Sequence, residues 1–225
     1  MSAGRLARIR AAALALASGV RADHAAMQSF HSKYGGRTAD RSALPRDLVE
    51  KIGFQLMAAY RVMRFFADVD AKLASRITSR VIRHAYGSDV HWDAEIAPGV
   101  MVVHGMGLAI SHSARVEEGV LIFQHCTLGE GRHPDTQEVG APVVEKGAVI
   151  GAGAVLVGPI TIGARTKIMP GCVVVRSVPP DSLVESPAPV VRPRKTARAP
   201  AAADHAPPAA ATRGGEDVVK HRGED

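Results

Sequence analysis

The stretch Val102-Val103-His104-Gly105-Met106-Gly107 sets one imidazole among aliphatic and small residues. An imidazole changes charge near neutral pH, so His104 can take a proton from a hydroxyl and later return it, provided a partner fixes its tautomer. Asp89 is the acid placed to do so: a carboxylate that accepts from one ring nitrogen turns the other toward substrate. A base held in this way activates an alcohol for attack on an acyl donor.

Whether the two residues meet depends on the elements that carry them. Val144, Ile150, Leu156, Ile162, Ile168 and Val174 recur every six residues, a period that fits neither an α-helix nor an open sheet and that marks hexapeptide repeats of a parallel β-helix. Four positions after each aliphatic, the sequence places Ala148, Ala154, Ile160, Thr166 and Cys172, mostly small residues suited to a bend in the backbone. Gly151 and Gly163 permit tight corners. The pattern continues upstream through Ile96, Val102 and Leu108 and through Val116, Ile122 and Leu128, with two extra residues between the two sets.

Three hexads make a coil of about eighteen residues. Asp89 is then expected beneath residue 107, across one corner from His104. The same register sets Gln124 over His104 with His125 beside it, placed to donate to an oxyanion or to cap a corner. His91, His112 and His133 read as corner or loop residues. Gly129-Glu130-Gly131-Arg132-His133-Pro134 interrupts the repeat and predicts an extruded loop over 129–143, the kind of insertion that carries function on repeat scaffolds.

Of the 225 residues 46% are hydrophobic and only 4% aromatic, which suits stacked aliphatic coils better than a core built from rings. The net charge of +6 is spread without aromatic interleaving, so nucleic acid is not an expected partner. Cys126 and Cys172 both fall at the small position of their hexads and read as packing residues in a reducing, cytoplasmic setting. The alanine-dominated run Ala11 to Ala17 after three arginines reads as an exposed or frayed helix rather than a signal peptide, and no membrane contact is expected. Leu48, Ile52 and Leu56, then Leu73, Ile77 and Val81, recur at i+4 and predict helices over 44–86. The expected organisation is a partly flexible segment 1–43, an α-helical domain 44–88, a β-helix domain 89–191 and a disordered Arg/Pro/Ala-rich tail 192–225.

Ser88-Asp89-Val90-His91, the stretch Ile96 to Gly107, Thr127-Leu128-Gly129, Ile150-Gly151-Ala152-Gly153-Ala154 and Val178-Pro179-Pro180-Asp181-Ser182 together resemble the bacterial serine O-acetyltransferases, hexapeptide-repeat acyltransferases. Gly53-Phe54-Gln55 with Ala59-Tyr60-Arg61 is similar to the helical domain preceding the coils in that family. The resemblance implies a mainly β fold, a left-handed parallel β-helix after an α-helical domain. It implies acetyl-CoA as co-substrate, direct acetyl transfer to a small acceptor alcohol, His104 as general base and Asp89 as the residue that holds it. It also implies homotrimers or dimers of trimers with sites between neighbours. The small Gly151-Ala152-Gly153-Ala154 corner would admit the pantetheine arm, and Lys167, one coil on, would lie near the CoA phosphates. No metal is implied.

The acceptor site departs from the family. A zwitterion needs an anion for its ammonium and a cation for its carboxylate. The family's acid before the catalytic His is Val103 here, and its acid in the next corner is His112. The family's Arg-His-Pro is present as Arg132-His133-Pro134, displaced within the loop, so Arg132 and His133 join His125 as candidate acceptor-binding residues. Serine is the expected acceptor, with cysteine biosynthesis as the setting. A sugar or polysaccharide hydroxyl, or another amino-acid-like alcohol, is the alternative. Remoter alternatives are a catalytically silent scaffold and a zinc lyase, the latter disfavoured by the spacing of His104, His112 and His125. The chain ends in Gly223-Glu224-Asp225 rather than isoleucine, so docking on cysteine synthase is not expected.

Overall fold

The structure, a computed structural model, describes residues 3–35, 38–187 and 190. The tail expected to be disordered lies outside the described residues. Helices come first: α1 (Ala3–Gly35), α2 (Leu44–Glu50), α3 (Ile52–Asp68) and α4 (Lys72–Tyr86). Short strands then climb three faces of a prism. The first face holds β1 (Asp89–Val90), β4 (Ala109–Ile110), β7 (Thr127–Gly129), β12 (Val155–Val157) and β15 (Val173–Val174). The second holds β2 (Glu95–Ile96), β5 (Arg115–Val116), β10 (Val143–Val144) and β13 (Thr161–Ile162). The third holds β3 (Met101–Val102), β6 (Leu121–Ile122), β11 (Val149–Ile150), β14 (Lys167–Ile168) and β16 (Leu183–Val184). Every pairing between coils is parallel; the hairpin β8 (Gly131–Arg132) with β9 (Val139–Gly140), inside the predicted loop, is antiparallel.

The six-residue period works as a packing rule. Val144, Ile150, Leu156, Ile162 and Ile168 point inward and are buried, and so are the residues four positions later, from Ala148 to Cys172. Both cysteines are unpaired and buried in this stack. The Cys126 thiol donates to the Gly151 carbonyl at 3.1 Å, and burial pushes its pKa up, which suits packing and not nucleophilic chemistry.

One detail of the register differs from the expectation. The two extra residues do not follow Leu108; they precede it. Met101 pairs with Leu121 and Ala109 with Thr127, so the offset between coils drops from 20 residues to 18 across the corner that holds His104. Ile110, not Leu108, is the stacking aliphatic, and Asp89 lies beneath Ala109 instead of residue 107. An insertion is cheapest at a corner, where it breaks no ladder.

The helical layer begins at Ala3 rather than at residue 44, because α1 packs against α3 and buries Ala12, Asp23, His24 and Met27. The join to the coils is polar and complete. The Arg61 guanidinium donates twice to Asp23, at 2.8 and 3.0 Å, and to the carbonyls of Ile96 and Ala97 at 2.6 and 2.8 Å. Asp23 also accepts from the Gly99 amide at 2.9 Å, while the Tyr60 hydroxyl donates to Ala94 O at 2.6 Å. In α4 the apolar stripe faces outward: Leu73, Ile77 and Val81 are exposed, and Ser75, Ser79 and Ile82 face α3, where the small serines allow close approach. Among the described residues no helix is long and apolar enough to cross a membrane.

Candidate active site

His104 stands on the lengthened corner between β3 and β4, with its side chain exposed. The start of α3 sits directly against this corner. A Cβ on Gly53 would overlap the Val102 carbonyl oxygen, and one on Gly105, whose φ is +63°, would stand 2.8 Å from Gly53 Cα. Backbone lies on backbone here, and only glycines permit it. Beside the contact opens a cleft of about 300 Å³ lined by His104, Val103, Phe54, Lys51, Glu50 and His31, among others. Beneath it, buried His24 meets Phe54, with ring centroids 5.3 Å apart, and pairs with Asp47 at 3.0 Å; Gln28 donates to the same carboxylate oxygen.

Corners of successive coils stack into one edge of the prism. The His125 amide donates to Met106 O at 2.9 Å, the Gly153 amide to Gln124 O at 2.9 Å, and the Gly171 amide to Ala152 O at 2.9 Å. The expected donor corner, Gly151-Ala152-Gly153-Ala154, therefore lies on the same edge as His104, two coils away, with Gln124 and His125 between them. Gly151 is packed so closely that a Cβ would approach Pro170 N at 2.6 Å, while the outward side of Gly153 is open. A long, narrow acyl donor laid along this edge would bring its thioester toward the imidazole. Lys167 is exposed on β14, on the neighbouring face.

His125 takes a left-handed conformation, φ +59°, and lays its ring against Gly107, where any Cβ would overlap Nδ1. The Gln124 side-chain oxygen is buried beside it with no hydrogen-bond partner among the described residues. Within the chain Asp89 does not bond His104. Its carboxylate is held by Arg83 at 2.7 Å, in a pair about half exposed on both sides. Asp89 is nonetheless close to the corner in the fold, because its neighbour Ser88 accepts from the Leu108 amide at 3.1 Å and donates to Gly105 O at 3.4 Å.

Arg132 and His133 lie on a different edge, between the first and second faces. They serve their own hairpin: Arg132 donates to Gln137 O at 3.3 Å, and His133 Nδ1 accepts from the amides of Asp135 and Thr136. His91 and His112 meet edge to face on that edge, with centroids 5.7 Å apart, and Glu130 lies 3.6 Å from His112. Within one protomer, then, the structure gathers His104, His125 and the Gly151–Ala154 corner along one edge and leaves Arg132 and His133 on another. Sequence reasoning missed Glu50, Lys51 and His31, whose only signal was closeness in sequence to the Gly53-Phe54 and α1 segments. Among the described residues no group of three or more His, Cys, Asp or Glu could hold a metal ion.

No protein-family model matches the chain. It is 34% identical over 140 residues to a serine acetyltransferase of Buchnera aphidicola from Acyrthosiphon pisum, covering 62% of this chain and 51% of that protein. It is 31% identical over 129 residues to the Escherichia coli K12 serine acetyltransferase, covering 57% and 46%. The chain spans about half the length of the curated relatives it matches. Among solved structures, serine acetyltransferase of Neisseria gonorrhoeae in complex with serine is similar with a TM-score of 0.65 at 27% identity, covering 78% of this chain and 68% of that one. The Vibrio cholerae serine acetyltransferase is similar with a TM-score of 0.67 at 28% identity, covering 81% and 67%. The left-handed β-helix behind a helical layer is the fold these structures share with it. By repeat, by helical layer and by the corner that carries the imidazole, this chain is similar to the serine acetyltransferases, hexapeptide-repeat acyltransferases.

Proposed function

We propose that the chain is an acetyl-CoA-dependent O-acetyltransferase, with serine as acceptor and cysteine biosynthesis as its setting. The observation that carries this reading is the alignment of His104 with the open Gly151–Ala154 corner on one edge of the prism. His104 takes the acceptor hydroxyl proton as that oxygen attacks the acetyl thioester carbonyl. The tetrahedral intermediate collapses, the C–S bond breaks, and the departing thiolate of CoA receives the proton from the imidazolium. Asp89 would steady the charged ring; its exposed pair with Arg83 contributes only about 0–1 kcal/mol and is easily exchanged. Lys167, exposed on β14, would meet the CoA phosphates.

Arg132 and His133, facing away from His104 in their own protomer, suit a site completed by the edge of a neighbour in a homotrimer or a dimer of trimers. The exposed Leu73, Ile77 and Val81 stripe of α4 supports association. Two unpaired core thiols fit a reducing cytoplasm. A thiol-release assay with acetyl-CoA tests the reading. L-Serine should accelerate release, and His104→Ala should lower the rate by about 10²–10⁴ while changing unfolding stability by less than about 0.5 kcal/mol. Release that responds to sugars alone would move the acceptor to a carbohydrate, and an unchanged rate in His104→Ala would remove the base.

A further inference from the structure

We infer that the cleft between the start of α3 and the His104 corner is the acceptor pocket, and that Glu50 and Lys51 select a zwitterionic hydroxy-amino acid there, Glu50 receiving its ammonium and Lys51 its carboxylate. This rests on the acetyl-transfer reading above. At about 300 Å³ the cleft is at the small end of ligand sites, with room for a molecule of a few heavy atoms and not for a polysaccharide chain. Its walls are largely apolar, from Met27, Phe54, Met101 and Val103. Val103 leaves the corner without an anion, yet an acceptor carrying an ammonium must find one in such surroundings.

Among the residues lining the cleft, Glu50 and Lys51 carry charge, one of each sign, and His31 and His104 carry imidazoles. Glu50 closes α2, and Lys51, with extended backbone at φ −107° and ψ 96°, separates it from α3. Arg46 lies 3.9 Å from the Glu50 carboxylate in an exposed contact that a bound ammonium can displace. Lys51 has no ion pair among the described residues. His31 is fixed by a 2.9 Å bond between its Nδ1 and the Met27 carbonyl, which keeps its ring in the wall.

Two measurements on the full chain test the assignment. In the first, L-serine, ethanolamine and 3-hydroxypropanoate are titrated calorimetrically into His104→Ala protein, which reads binding without turnover. Serine should bind best, and adding Glu50→Gln or Lys51→Met should each weaken it about tenfold, the size of a lost charge-assisted bond. In the second, Glu50→Gln in otherwise native protein should raise KM for serine about tenfold while kcat and KM for acetyl-CoA change less than about twofold. Serine affinity unchanged in both variants, no serine binding at all, or ethanolamine binding as tightly as serine would each overturn the assignment. Failure of the acetyl-transfer reading looks different: no acceptor stimulates thiol release, while the calorimetric dependence on Glu50 is still read.

Discussion

Gly105 and Gly53 meet backbone to backbone, with space for a Cβ on neither, and the contact locks the start of α3 onto the turn that carries His104. Gly105→Ala adds a methyl group against this contact at a residue with φ +63°. It should cost about 2 kcal/mol or more, from overpacking and left-handed strain together. Urea unfolding checks the loss, and because the acceptor cleft opens beside the contact, KM for the acceptor should rise in the same variant.

Arg61 and Asp23 form a buried pair, at 8% and 1% side-chain exposure, whose hydrogen bonds tie two helices to the corner between β2 and β3. Arg61→Met leaves the Asp23 carboxylate buried and uncompensated, so unfolding stability should fall by about 3–5 kcal/mol. Removing both charges in Asp23→Leu/Arg61→Met should recover part of that loss, with denaturant midpoints as the readout.

Asp47 links stability to pH. Burial opposes its charge, but bonds from His24 and Gln28, with Arg46 alongside, overcome that and hold its carboxyl below the ordinary value of 3.8. A depressed folded pKa stabilises the fold above the unfolded value, and that contribution is lost as pH falls from 3.8 through the folded pKa. The native protein should therefore lose stability below about pH 4 more steeply than Asp47→Asn does. Unfolding midpoints between neutral pH and pH 3 compare them; parallel curves would remove Asp47 from the linkage.

Co-expression tests whether two protomers share a site. His104→Ala and His133→Ala chains are each expected to be nearly inactive alone. If the hairpin edge of one copy completes the His104 edge of another, random mixing leaves about one site in four with both groups intact, and about a quarter of the activity returns. Activity no greater than the sum of the parents would overturn the site shared between neighbours.

The coils were legible because most turns obey one rule, an aliphatic every six residues and a mostly small partner four positions on, so errors average out over many repeats. The site was less legible because it lies where the rule lapses. Leu108 has the right chemistry for a stacking position, and only the pairing of Ile110 with Leu128 shows that the extra residues precede it. The outward turn of Leu73, Ile77 and Val81 was hidden for another reason: helical period reports a stripe but not which way it faces, and the small Ser75 and Ser79 decide that. Glu50 and Lys51 belong to the cleft through a contact between distant segments, which no local pattern encodes.

The lengthened corner at His104 leaves the ladders above and below it in register, since Met101 and Ala109 still pair with Leu121 and Thr127. Reactivity and architecture are thereby uncoupled. The turn can be shortened, extended or grafted onto another prism with little retuning of the tiers around it, so a new acceptor preference can evolve by exchanging one bend and the helix tip that leans on it.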